Sequence, residues 1–167
     1  MLPLPFLPSN GTVELTDSHD PFMKEAELAC KELSNELMQP TGAVIVKDGV
    51  VVARGANHAI LPVFLRNAHK QGLCSRKAFK VKSGTKYWLC PGCAAPSRHA
   101  EQRAVDDGLA KGLDLKGSTL YLYGHWWACE PCWNKVLSAG ISVIKIRSDA
   151  QDLFRPESPQ NILGKRS

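Results

Sequence analysis

Between Asp48 and Glu101 the chain has no acidic residue, while Arg54, Arg66, Lys70, Arg76, Lys77, Lys80, Lys82, Lys86 and Arg98 all fall there. Such a stretch repels itself unless an anion lies against it or solvent screens it. Phosphate is the economical anion; a solvated basic loop is the plain alternative. The sequence also lacks any apolar run near the ~18 residues that span a bilayer. Its greasy opening, MLPLPFLPSN, has no basic n-region, and prolines 3, 5 and 8 break it, which argues against a secretory signal. No internal repeat is present. The expected setting is therefore cytoplasmic, with no membrane partner, and there six cysteines imply metal binding or catalysis more than disulfides.

What is present suits one globular domain. The 167 residues are 44% hydrophobic and 22% charged, with a net charge of +5. HDPFMKEAELACKELSNELMQP reads as a helix capped by Asp20, with Pro21 first and Phe22, Ala26, Ala29, Leu33 and Leu37 at helical steps up to Pro40. TGAVIVKDGVVVARGAN reads as two strands turning at Lys47-Asp48-Gly49. Residues 58–97 carry six Pro and Gly residues and no sustained period, so they form an insertion with a short helix at most, of a length that is usually functional or stapled. HAEQRAVDDGLAKG, STLYLYG, EPCWNKVLSAG and ISVIKIR then alternate helix, strand, helix, strand, which implies parallel neighbours. The polar tail, SDAQDLFRPESPQNILGKRS, is expected to hold a last turn or strand and then a loose end.

Within this order lie a His-x-Glu at His99 and Glu101 and, thirty residues on, a Cys-x-x-Cys at Cys129 and Cys132. A catalytic zinc takes three protein ligands and leaves its fourth position open. His99, Cys129 and Cys132 can supply three, each at a helix start whose dipole favours thiolate. Glu101, two residues past a ligand, can lean to the open side and move protons. A redox pair or a noncatalytic zinc knuckle would explain the cysteines alone; the ordered set favours the metal site.

HAE followed by CEPC resembles the cytidine deaminase superfamily, and the insertion with the GAVIVKDGVVVARGANH hairpin is most similar to its deoxycytidylate deaminase branch. The resemblance covers about residues 20–147. It implies a three-layer α/β/α sandwich with a central mixed sheet of about five strands. It also implies Zn2+ on His99, Cys129 and Cys132, with Glu101 as general acid/base. The residue before the first cysteine is Ala128 where the family usually has proline. By the same resemblance Asn57 contacts the sugar, the backbone of Ala100 reads the base edge, and Trp126 or Trp127 walls the pyrimidine. Without it, Asn57 is a turn former and both tryptophans are core. His125 contacts substrate or is a satisfied structural histidine.

Cys74, Cys90 and Cys93 remain. Cys90-Pro-Gly-Cys93 with an upstream cysteine has the spacing of a second, noncatalytic zinc, with His69 the nearest fourth ligand and His58 and Cys30 behind it; three reduced thiols are the alternative. Arg66, Arg76 and Lys77 are donors for a monophosphate. The expected activity is thus deamination of a cytosine nucleotide, dCMP to dUMP, by a homo-oligomer of unspecified number. A polynucleotide, transfer RNA or single strand, is the alternative partner for the same basic surface, another free nucleoside or base is a further alternative substrate, and a noncatalytic zinc-stapled nucleic-acid-binding module is the reading from another class.

Overall fold

The computed structural model describes residues 3–81 and 85–163; Lys82, Gly84 and the final Gly-Lys-Arg-Ser lie outside that range. Five strands, β1 (Thr12–Thr16), β2 (Gly42–Lys47), β3 (Val50–Ala56), β4 (Thr119–Tyr123) and β5 (Val143–Arg147), form one mixed sheet in the order β1-β5-β4-β2-β3. The hairpin β2–β3 turns at Asp48 and Gly49, both at positive φ, as a tight antiparallel turn requires. β4 and β5 are parallel neighbours, as the helix between them demands. The fifth strand is β1, pairing parallel with β5 at the sheet edge. Its five residues, TVELT, follow the proline-broken opening and alternate polar and apolar, a short strand signal that is absent from the expectations above.

α1 (Pro21–Leu33) begins as expected: the Asp20 carboxylate accepts the N–H groups of Phe22 and Met23 at 2.8 and 3.0 Å. It ends at Leu33, not at Pro40. Ser34 turns extended and donates its hydroxyl to Asn57 Oδ1 at 2.7 Å, while Asn35 binds the backbone of Ala59 from both ends of its amide. These tertiary bonds peel residues 34–40 off the helix, so Leu33 is exposed and the buried stripe is Met23, Ala26, Ala29 and Cys30.

α1 and α4 (Ala100–Ala110) cover opposite faces of the hairpin. A Cβ on Gly42 would strike Ala26 O and Cys30 N of α1, and one on Gly55 would strike Ala104 N of α4. Gly42 and Gly55 point to opposite sides of the sheet, so the missing side chains let each helix touch the strands. α5 (Glu130–Ser138) lies beside α4. α6 (Ala150–Phe154) packs on the α1 side through Phe154 against Tyr123, ring centroids 5.2 Å apart. The last turn expected of the tail is therefore α6, anchored by the fully buried Phe154. Gly55→Ala is expected to cost about 2 kcal/mol in urea unfolding, since an overpacked contact here meets backbone and not a yielding side chain.

The insertion is more ordered than its lack of period suggests. It holds α2 (Val63–Lys70), α3 (Ser75–Ala78) and 3-10 turns at Tyr87–Leu89 and Pro96–Arg98. Among the described residues the hydrophobic core cluster takes nothing from 57–99.

Candidate active site

His99 is the N-cap of α4 and Cys129 the N-cap of α5, so the two helices deliver their first residues to one point. Gln102 Nε2 donates to Pro131 O at 3.1 Å and ties the two starts together. His99 Nδ1 lies 3.5 Å from Cys129 Sγ and 3.4 Å from Cys132 Sγ. Tetrahedral zinc with ordinary bond lengths gives an N···S edge of about 3.6 Å. The donor set therefore fits the ion. His99 Nε2 is 3.1 Å from Ala94 O, and a proton donated there leaves Nδ1 unprotonated toward the sulfurs. In this arrangement the Cys129 thiol is lowered to about 5, by the Cys132 hydrogen bond first and by His99, whereas Cys132 is pushed up by its bond to Cys129 and by burial.

Glu101 is buried, with 4% of its surface exposed. Burial pushes its carboxyl above the ordinary range, against the opposing pull of His99, and its side chain reaches the Cys132 thiol and its own backbone N–H. A carboxyl so placed binds a proton readily and holds it beside the ligands, as a proton carrier must.

A cavity of about 510 Å³ opens over these residues. Ala100, Asn57, His125 and Trp127 line it; Trp126 does not, and packs partly buried against the core with its ring centroid 6.1 Å from Trp127. Asn57 is largely committed: its Oδ1 accepts Ser34 Oγ and Thr41 N, and its Nδ2 donates to Gln39 O at 2.8 Å. One amide hydrogen remains for a ligand. His125 Nδ1 accepts the Trp126 and Trp127 amides at 3.1 and 3.3 Å, which puts its proton on Nε2. Burial, then the charge of His99, lowers His125 to about 3. The unfolded chain thus protonates first as pH drops below ~6.5, and stability falls by about 1.4 kcal/mol per unit until the folded pKa is reached. His125→Asn, whose side-chain oxygen can take the same amides, is expected to retain about 2 kcal/mol more than the parent at pH 5 relative to pH 7 in urea titrations.

Arg76 and Lys77 of α3 line the same cavity as His99 and Glu101. Arg66 does not: its guanidinium donates to Asn35 O at 2.8 Å and anchors the segment after α1. Three contributors escape the motif reading. Glu36 and its neighbours enter only because α1 ends early, Lys80 follows α3, and Pro156 and Glu157 return from the tail. The Ser34-Asn35 pair, two poor helix formers after a long helical run, is the one local hint of the first.

Beside the cavity His69, Cys74, Cys90 and Cys93 place four ligand atoms within 4.8 Å of one another. Cys74 Sγ and Cys93 Sγ are 3.7 Å apart and Cys93 Sγ is 3.6 Å from His69 Nε2, against about 3.8 and 3.6 Å for tetrahedral zinc edges. His58 instead meets Asn35, and Cys30 lies in the α1 core stripe.

The sequence profile of the cytidine and deoxycytidylate deaminase zinc-binding region matches residues 16–146. The chain belongs to this deaminase family. Within it, the chain is similar to guanine deaminase of Bacillus subtilis strain 168, with 34% identity over 98 residues, covering 53% of this chain and 62% of that one. Among solved structures it is similar to dCMP deaminase of cyanophage S-TIM5, at 27% identity and a TM-score of 0.49 over 78% of this chain and 84% of that one. It is also similar to a diaminohydroxyphosphoribosylaminopyrimidine deaminase/reductase of Thermotoga maritima, at 25% identity and a TM-score of 0.45, covering 75% and 28% of the two chains. The matched zinc-binding region, residues 16–146, contains both groups of converging His and Cys side chains, and no helix among the described residues is long and apolar enough to cross a membrane.

Proposed function

We propose that the chain hydrolytically deaminates a cytosine mononucleotide, converting dCMP to dUMP with release of ammonia. The observation that carries this reading is the basic wall of the cavity: Arg76, Lys77 and Lys80 line the same opening as Glu101, His99 and Cys129. A free base or nucleoside gives such cations nothing to bind, whereas a monophosphate does. His99, Cys129 and Cys132 would hold the zinc, which when bound acidifies water at its open position. Water adds to the amine-bearing carbon, the carbon–nitrogen bond breaks, and Glu101 carries the proton from water to the departing nitrogen. Trp127 and Asn57 supply the apolar wall and the remaining amide donor.

A second reading, deamination of guanine, is favoured by the similarity to the Bacillus enzyme and fits a cavity of this volume. An ammonia-release screen across cytosine, deoxycytidine, dCMP, CMP, dCTP, guanine and short oligonucleotides separates the readings. dCMP is expected to show the highest kcat/KM, and raising salt from 50 to 200 mM to lower it only a few-fold. An oligonucleotide substrate would instead lose orders of magnitude, by counterion release. Guanine as the best substrate would overturn the nucleotide reading.

The same reading includes a second zinc, closed and noncatalytic, on His69, Cys74, Cys90 and Cys93. It also includes assembly into a homo-oligomer, for which the exposed Phe64, Leu73, Phe79 and Trp88 of the insertion are apolar surface; light scattering tests it.

A further inference from the structure

The insertion that carries the basic wall has no core of its own. Among the described residues nothing between 57 and 99 joins the hydrophobic cluster, and Phe64, Leu73, Phe79 and Trp88 are each at least 70% exposed. Helices as short as α2 and α3, with eight and four residues, do not persist alone. Three of its four candidate ligands are among the few side chains it buries: His69, Cys74 and Cys90 are each 5% exposed or less. The Pro91-Gly92 turn sits directly on the imidazole, since a Cβ on Gly92 would be 2.6 Å from His69 Cδ2.

The cluster and the cavity share residues and contacts. Cys74 is the N-cap of α3, so Arg76 and Lys77 follow it by two and three positions on the same turn of helix. His69, Cys74 and Cys93 themselves line the cavity, whereas Cys90 does not. Arg76 hydrogen-bonds the Cys93 sulfur, donates Nε to Thr85 O at 3.1 Å and lies 4.2 Å over the Tyr87 ring. Tyr87 in turn meets His99 edge-on at 5.0 Å. The Ser75 hydroxyl closes the other side of α3 on Leu89 O. These contacts tie Arg76, and the short helix that also carries Lys77, to the cysteine-histidine cluster and to residues 85–89 just before Cys90.

We infer that metal loading of His69, Cys74, Cys90 and Cys93 sets the affinity of the active site for the substrate's phosphate, by holding α3 against the cavity. The cluster is a positioning device for binding, whereas Glu101 stands on α4 over the sheet and His99 is fixed as the N-cap of that helix, its links to the insertion being Ala94 O and the Tyr87 ring. This rests on the nucleotide reading above for its substrate, though not for its structural part.

The full-length protein and its Cys90→Ser variant, both purified with zinc, test it. The parent is expected to carry two zinc ions per chain by elemental analysis and the variant one. In the variant KM for dCMP rises at least tenfold, kcat falls less than threefold, and KM for deoxycytidine, which has no phosphate, moves less than twofold. Backbone amide exchange speeds up across residues 63–78 and not in α4. Lys77→Ala is expected to reproduce the KM change with both zinc ions retained and exchange unaltered. One zinc per parent chain overturns the inference, as does a variant that loses the second zinc without a change in the dCMP-to-deoxycytidine KM ratio. If the parent deaminates no monophosphate, the nucleotide reading fails separately. Calorimetric titration with orthophosphate then decides the coupling: at least tenfold weaker binding by the variant supports it, and equal or absent binding by both proteins overturns it.

Discussion

The Glu101→Gln protein is expected to bind the same amount of zinc as the parent while its turnover of dCMP falls by about 10²- to 10⁴-fold, the usual share of a positioned general acid/base. Glutamine keeps the volume and one acceptor oxygen but cannot take up a proton. Stability should move the other way. Glu101 is buried and its carboxyl is pushed above the ordinary range by that burial, so a neutral amide removes a desolvation penalty without leaving a cavity. Loss of turnover with equal or greater resistance to urea is a signature that mere misfolding does not produce. A variant that remains fully active would remove Glu101 from the chemistry.

Cys132→Ser is expected to have the larger structural effect. Cys132 and Cys129 join α5 to His99 on α4, and with zinc bound the three ligands lock two helix starts together. Because the ion binds the folded chain in preference to the unfolded one, it stabilises the fold by about 4 kcal/mol when free zinc stands a thousandfold above its Kd. The parent should lose that increment on chelation, seen as a drop in melting temperature. The Cys132→Ser protein should start lower and respond to chelator only through its remaining cluster. An unchanged first transition in both proteins would show that these three residues hold no ion.

How much of this was legible beforehand depended on the range of the forces involved. The helix starts at His99 and Cys129, the hairpin at Asp48-Gly49 and the alternation after residue 98 follow from local rules, and local rules act within a few residues. The end of α1 does not: Ser34 and Asn35 leave the helix for Asn57 and Ala59, partners more than twenty residues away. The same departure swings Glu36 into the cavity and uses up most of the hydrogen-bonding capacity of Asn57. Arg66, one of nine similar cations between Asp48 and Glu101, turned out to serve that segment instead of the cavity.

By itself the sequence determined the ligand types, their order and the helix ends that carry them, because spacing along one element dictates which side chains share a face. Only tertiary structure decided which cations reach the cavity, which tryptophan walls it, and that the tail and the segment after α1 complete it. Those choices rest on contacts between distant segments, where packing and buried hydrogen bonds outweigh the propensity of any single residue.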